Sequence, residues 1–225
     1  LANTLKSLVD DPSADVDRQL WQIREKLSRR FGPSFDFYDT DGVRALWRRF
    51  DDPLNELVFW ASRFHELSNF VPEERDYKLE IVRNLTAARN ALAEDRDWFP
   101  LLKRAFGPPN NLTNWQSHDA FLKWCDEDHS RAAKLLRRVW AGDGDPMARF
   151  ADFVTHLPVA VVSGLGTRTT LASFLLMAVD PYTFPPYRTA AMHAAYRLTK
   201  HDPGAEKSEA AMYEAALAFF DKVRE

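Results

Sequence analysis

Apolar residues recur at three- and four-residue spacing along most of the chain, the period of helices buried on one face. Over residues 15–31, Val16, Leu20, Ile23, Leu27 and Phe31 form one stripe, and Gly32-Pro33 ends it. A short aromatic segment follows, with Phe35, Phe37 and Tyr38, and then Asp39 or Thr40 can cap a helix through Phe50. Asp52-Pro53 opens the next helix, cap then first-turn proline, with Leu54, Leu57, Val58, Ala61 and Phe64 inward. Pro72 starts a long helix to about Glu94, with Leu79, Val82, Leu85, Ala88 and Leu92 inward. A short helix over 98–106 runs into Gly107-Pro108-Pro109-Asn110-Asn111, the clearest break in the chain.

Beyond the break, Phe121, Leu122 and Trp124 mark a helix over 117–125. Asp128 or Ser130 caps a helix over 129–141 that buries Ala132, Leu135, Leu136 and Val139. Helices over 146–157, 167–179, 188–199 and 205–224 complete the set, with a proline-rich turn over 180–186. Hairpin dipeptides between alternating strands are missing, and so are internal repeats. The pattern predicts an all-α fold of about eleven helices, either two lobes (1–108 and 109–225) or one continuous domain.

Composition narrows this. A length of 225 residues suits one or two domains, and 45% hydrophobic residues exclude wholesale disorder. Eight Gly against thirteen Pro, with abundant Ala, Leu, Arg and Glu, favour helix. The longest apolar run, within 171–179, is far too short to span a bilayer, so no membrane partner is expected. A single cysteine, Cys125, excludes an internal disulfide framework and a cysteine-based zinc site. With no signal-peptide pattern, a cytoplasmic location is expected. The absence of an initiator Met, and a last helix running to Glu225 without a stop signal, suggest a piece of a longer protein.

The net charge of −3 hides an asymmetry. Residues 129–200 carry nine Lys/Arg against four Asp and no Glu, a net of +5, which leaves −8 for the rest. A basic stretch in a near-neutral chain suggests one face for a polyanion; a solvated helix face is the competing reading. Familiar catalytic signatures are missing: no P-loop, no G-x-G-x-x-G before a helix, no H-E-x-x-H, and six scattered histidines without an i, i+4 pair. No metal and no cofactor is expected, and Cys125 beside Trp124 reads as core.

One segment carries more. From Leu157, the run Pro-Val-Ala-Val-Val-Ser-Gly164-Leu165-Gly166-Thr167-Arg168-Thr169-Thr170 reads as a helix, a tight glycine turn and a second helix. The glycines let the chain reverse, and the second helix then begins with free backbone N–H groups, a ready anion site. Arg168 and Thr167 stand beside it. A corner whose glycines serve packing alone is the competing reading.

This stretch resembles the helix-hairpin-helix element of the endonuclease-III-like DNA glycosylase superfamily, over about forty residues from Leu157 to the Tyr196-Arg197-Leu198 helix end. The departures are chemical. Arg168 stands where bifunctional glycosylases carry a lysine nucleophile, and arginine forms no Schiff base. Pro186, Tyr187 or Arg188 stands where the family carries its essential Asp. The resemblance therefore implies a scaffold that grips DNA without cutting it. Over a longer range, Leu112-Thr-Asn-Trp, the Ala132–Trp140 run, Gly164-Leu-Gly-Thr-Arg, Ala172-Ser-Phe-Leu-Leu-Met-Ala-Val-Asp-Pro and Pro185-Pro-Tyr-Arg resemble the N-terminal region of McrB-like AAA+ proteins. That resemblance implies recognition of modified DNA for a restriction system, with nucleotide hydrolysis elsewhere in the parent protein and a McrC-like nuclease as partner.

The expectation is then a non-enzymatic module that binds double-stranded, modified DNA, reading a flipped base. Its backbone contacts are Gly164, Gly166, Thr167, Arg168, Arg131, Lys134, Arg138 and Arg188, with Arg131, Lys134 and Arg138 on one helix face. Its base pocket draws on Tyr182, Thr183, Phe184, Tyr187, Trp115 and Trp124, with Trp140 a further candidate. The alternatives are a helical regulatory or protein-interaction domain of an AAA+ protein, and an active DNA glycosylase.

Overall fold

A computed structural model describes residues 15–31, 54, 57, 58, 61, 64–68, 70–142 and 144–224. Within them the protein is all-α: nine α-helices, one π-helical turn and no strand. The lead-in over 1–14, the aromatic segment at 35–38 and the helix expected to end at Phe50 lie outside the described residues. The chain divides into two compact units, Leu1–Arg63 and Phe64–Glu225. The Gly107–Asn111 break, expected as a lobe boundary at 108/109, falls inside the second unit.

In the first unit, α1 (Val16–Phe31) starts on Asp15, whose Oδ1 accepts from the Arg18 amide at 2.9 Å. Ile23 is buried and Trp21 exposed.

In the second unit, a π-helical turn over Val71–Asp76 leads into α2 (Tyr77–Ala93). Tyr77, Ile81, Leu85, Ala88 and Leu92 form its buried stripe. Leu79, expected inward, is exposed. Tyr77 takes the inward place and donates its hydroxyl to Asn111 at 2.7 Å; a π turn ahead of the helix shifts the phase that a 3.6-residue period assumes. The next helix, α3 (Phe99–Phe106), packs back on α2.

Three helices then follow with polar caps of their own. They are α4 (Trp115–Glu127), α5 (His129–Trp140) and α6 (Pro146–His156). Asn114 accepts from the Gln116 amide at 2.9 Å, Asp128 from the Arg131 amide at 3.1 Å, and Asp145 from the Met147 and Ala148 amides at 3.2 Å each. The expected inward stripe of α5 is buried, and Trp140 joins it.

At the centre lies α7 (Leu165–Leu176), buried nearly all round and packed against α5, α6 and the last helix. Phe174, Leu175 and Leu176 are fully buried, each worth roughly 1.5–3 kcal/mol of transfer free energy. The remaining helices are α8 (Thr189–Thr199) and α9 (Glu209–Arg224). Cys125 is buried, and burial pushes its thiol far above the usual range, as suits a core residue. Among the described residues no helix is long and apolar enough to cross a membrane.

Candidate nucleic-acid interface

The glycine corner is present, but its two glycines do different work. Gly164 takes φ +83°, a left-handed conformation that favours glycine, and turns the chain into α7. Gly166 is a packing position: a Cβ there would sit 2.5 Å from Oγ1 of Thr189. Its lack of a side chain lets the start of α7 touch the start of α8. The chain between α6 and α7 is not helical, as expected for 157–162, but a turn in which the amides of Val161 and Val162 donate to the Pro158 carbonyl.

Neither helix start carries a side-chain cap. Gly164 has no side chain to offer, and Arg188 does not cap α8. Among the described residues no acceptor meets the amides of Leu165, Gly166 and Thr167, or those of Thr189, Ala190 and Ala191. Two sets of unpaired donors, each at the positive end of a helix dipole, thus sit side by side. A cavity of about 320 Å³ opens beside them, with Thr167, Thr170, Arg188 and Thr189 on one side and Asn111, Ser117 and His118 on the other. His118 takes a 2.9 Å hydrogen bond with Thr113 through Nδ1. Burial holds its pKa below the usual histidine value, with Asp119 opposing, so the ring is neutral at pH 7.

Arg168 corrects the sequence reading. Its side chain points away from solvent and is spent inside the protein. Nε bonds Glu209 at 2.6 Å, and one terminal nitrogen donates to the Leu157 and Val162 carbonyls at 3.0 Å each. The other donates to the Val154 carbonyl. Four of the five guanidinium donors are engaged and the side chain is buried, which closes it to a phosphate. The residue ties the end of α6, the turn and the start of α9 to α7.

The basic stretch is thinned in the same way. Arg137 bonds Asp95 at 2.6 Å, and Arg149 donates to the Gly142 carbonyl at 3.0 Å. Arg138 donates to both oxygens of Asp152, at 2.9 and 2.7 Å, so this expected backbone contact is already neutralised. Among the described residues Arg131, Lys134, Arg188, Arg197 and Lys200 form no ion pair. The expected grouping of Arg131, Lys134 and Arg138 is met: with Trp124, Leu135 and His156 they line a second cavity of about 210 Å³. Ser117 in the first cavity and Trp124 in the second are seven residues apart on one face of α4, about 10 Å by the rise per residue. Buried Phe121 lies between them.

The expected base pocket does not assemble. Tyr187 is fully buried, and its amide donates to Ser173 Oγ at 2.9 Å. Trp140 is buried too, with its indole N–H on the Leu175 carbonyl at 2.8 Å. Phe184 is half-buried. Thr183 donates its hydroxyl to Asp180 at 2.6 Å, and the Asp180 carboxylate also accepts the Tyr182 amide, which holds its pKa low. Tyr182 and Trp115 are exposed, and neither lines the two cavities above.

Asn111, Ser117, His118, Thr170 and Thr189 were not among the expected site residues. A signal for Thr189 did exist: in Pro-Tyr-Arg-Thr the threonine is the residue type that favours a helix start. The α4 side of the cavity had none, because it depends on how α4 packs. No family model, curated protein or solved structure matches the chain.

Proposed function

We propose that this chain is a non-catalytic DNA-binding module that grips the phosphate backbone where α7 and α8 begin. The observation that carries the reading is the meeting of two uncapped helix N-termini at the Gly166–Thr189 contact, with unpaired Arg188 on the same cavity. Amide donors, threonine hydroxyls and a guanidinium suit a phosphodiester oxygen, and no carboxylate lines the cavity to repel it. The cavity beside Trp124, Arg131 and Lys134 extends the reading to a second contact some 10 Å away, about the rise of three nucleotides. The resemblance to McrB-like proteins extends it further, to modified duplex DNA as the target and a McrC-like nuclease as partner of the parent protein.

The test is a fluorescence-anisotropy titration of a labelled duplex at 50 and 200 mM salt (about the range over which phosphate contacts show). Affinity falls steeply as salt rises. Arg188→Glu weakens binding at least about tenfold and takes roughly one unit from the salt slope. Failure to bind any duplex at low salt overturns the reading. Competition between unmodified and methylated or hydroxymethylated duplexes tests the finer proposal: a tenfold preference, about 1.4 kcal/mol, supports it and equal affinity removes it.

A further inference from the structure

A third cavity, of about 510 Å³, lies along the C-terminal half of α8 and shares no residue with the two already described. His193, Tyr196, Arg197, Lys200, His201 and Glu206 line it. The Tyr196 hydroxyl and Oε1 of Glu206 are buried and have no hydrogen-bond partner among the described residues. Tyr196 is 4% exposed. Proteins leave few such groups unpaired, because each gives up its bonds to water and gains nothing in return. The other Glu206 oxygen is 3.3 Å from His193 Nε2, so that carboxylate is half satisfied. Burial, reinforced by the Glu206 charge, pushes the Tyr196 hydroxyl up to about 12, so it keeps its proton.

The lining makes three demands on an occupant. Glu206 Oε1 needs an N–H or O–H donor. Arg197 and Lys200 form no ion pair among the described residues and can hold an anionic group, although the exposed Asp202 also lines the cavity. The half-buried His201 ring, packed on Tyr196 with centroids 5.3 Å apart, offers a flat face. A planar ring with an amino group and a phosphate meets all three. The volume lies in the range of small-molecule sites, roughly 300–1,000 Å³, and far exceeds the share of one water, about 30 Å³.

We propose that this cavity binds a nucleotide whose base carries an exocyclic amino group, with the amine donating to Glu206 and the phosphate held by Arg197 and Lys200. Carboxylates accept the exocyclic amine of cytosine. The nucleotide is either free or a residue of a strand.

Calorimetric titration of the whole chain with CMP, AMP, GMP, UMP and inorganic phosphate tests the site. Expected is saturable binding of the three amino-bearing nucleotides, with UMP at least tenfold weaker and phosphate weaker still. Glu206→Gln preserves the shape, weakens CMP at least tenfold and narrows its gap over UMP, a change in selectivity that a folding defect would not produce. Tyr196→Phe weakens all of them. The source is decided by a competing duplex with one unpaired cytidine. If it displaces CMP, and Glu206→Gln abolishes the displacement, the strand supplies the nucleotide; if it does not, the free nucleotide is the ligand. Phosphate binding as well as CMP, an unaffected Glu206→Gln variant, or no binding by any nucleotide or by the unpaired cytidine overturns the proposal. Duplex binding that depends on Arg188, with no nucleotide bound, overturns this site alone. Nucleotide binding without duplex binding overturns only the DNA reading above.

Discussion

Five helix starts of the second unit, α4 to α8, fall into two groups. At α4, α5 and α6 a side chain one residue ahead of the helix closes the first turn: Asn114, Asp128 and Asp145 accept the amides that the helix cannot satisfy itself. At α7 and α8 the corresponding residues are Gly164 and Arg188, and the first amides stay open. What holds those starts in place is tertiary instead. Arg168 ties α7 to α6 and to Glu209 of α9, and Gly166 lets Thr189 settle against it. A locally capped helix start is self-sufficient and chemically silent. An uncapped one must be held from a distance, and its donors remain available to an anion.

The strongest test of the contrast is the clamp. Arg168→Ala leaves half-buried Glu209 without its partner and orphans three carbonyls, and should cost about 3 kcal/mol in denaturant unfolding. An unchanged midpoint would show that α7 does not depend on it.

Next is the close contact. Gly166→Ala places a methyl 2.5 Å from the Thr189 hydroxyl and should cost about 1–3 kcal/mol. Thr189→Ala removes the clashing atoms, so the double variant should recover much of that loss in a thermal-melt cycle. If the two changes are simply additive, the helix starts do not meet there.

The capped group predicts a smaller and purely structural effect. Replacing Asn114, Asp128 or Asp145 by Ala should lower stability by about 1 kcal/mol each, leaving duplex affinity unchanged for Asp128 and Asp145. The converse change sharpens the comparison most. Arg188 has the extended backbone of a capping position, φ −129° and ψ 110°. Arg188→Asp should therefore cap α8, raise stability by about 0.5–1 kcal/mol and lose duplex binding at the same time. Stability and binding falling together would mean that α8 is not short of a cap.

The smallest effect concerns pH. The folded protein holds His118 below the unfolded value of 6.5. In the window between the two values the unfolded chain binds the proton and the folded chain does not. The contribution of the neutral ring is therefore complete above about 6.5 and is lost as the pH falls from there through the folded value. Melting temperatures between pH 7.5 and 5 should fall, and His118→Asn should flatten that fall (the window follows the ordinary histidine value, about 6.5). A steeper dependence in the variant would reverse the assignment.

Much of the fold was legible along the chain. The stripe of α5, the Asp128 cap and the apolar run that becomes α7 all follow from residues within a turn or two of one another, where periodicity and capping act. The chemistry at the corner was legible only in part. Thr167 and Arg188 line the cavity at the corner, but Arg168 and Tyr187 look in sequence like an exposed cation and an exposed ring. Their fate depends on Glu209 and Ser173, 41 and 14 residues away.

The sequence by itself determined the helical class, the helix starts that cap themselves and those that cannot. Only the tertiary structure decided which charges stay free. Whether an arginine faces solvent is set by the carboxylates and carbonyls that packing brings to it, and those contacts join residues that no local period relates.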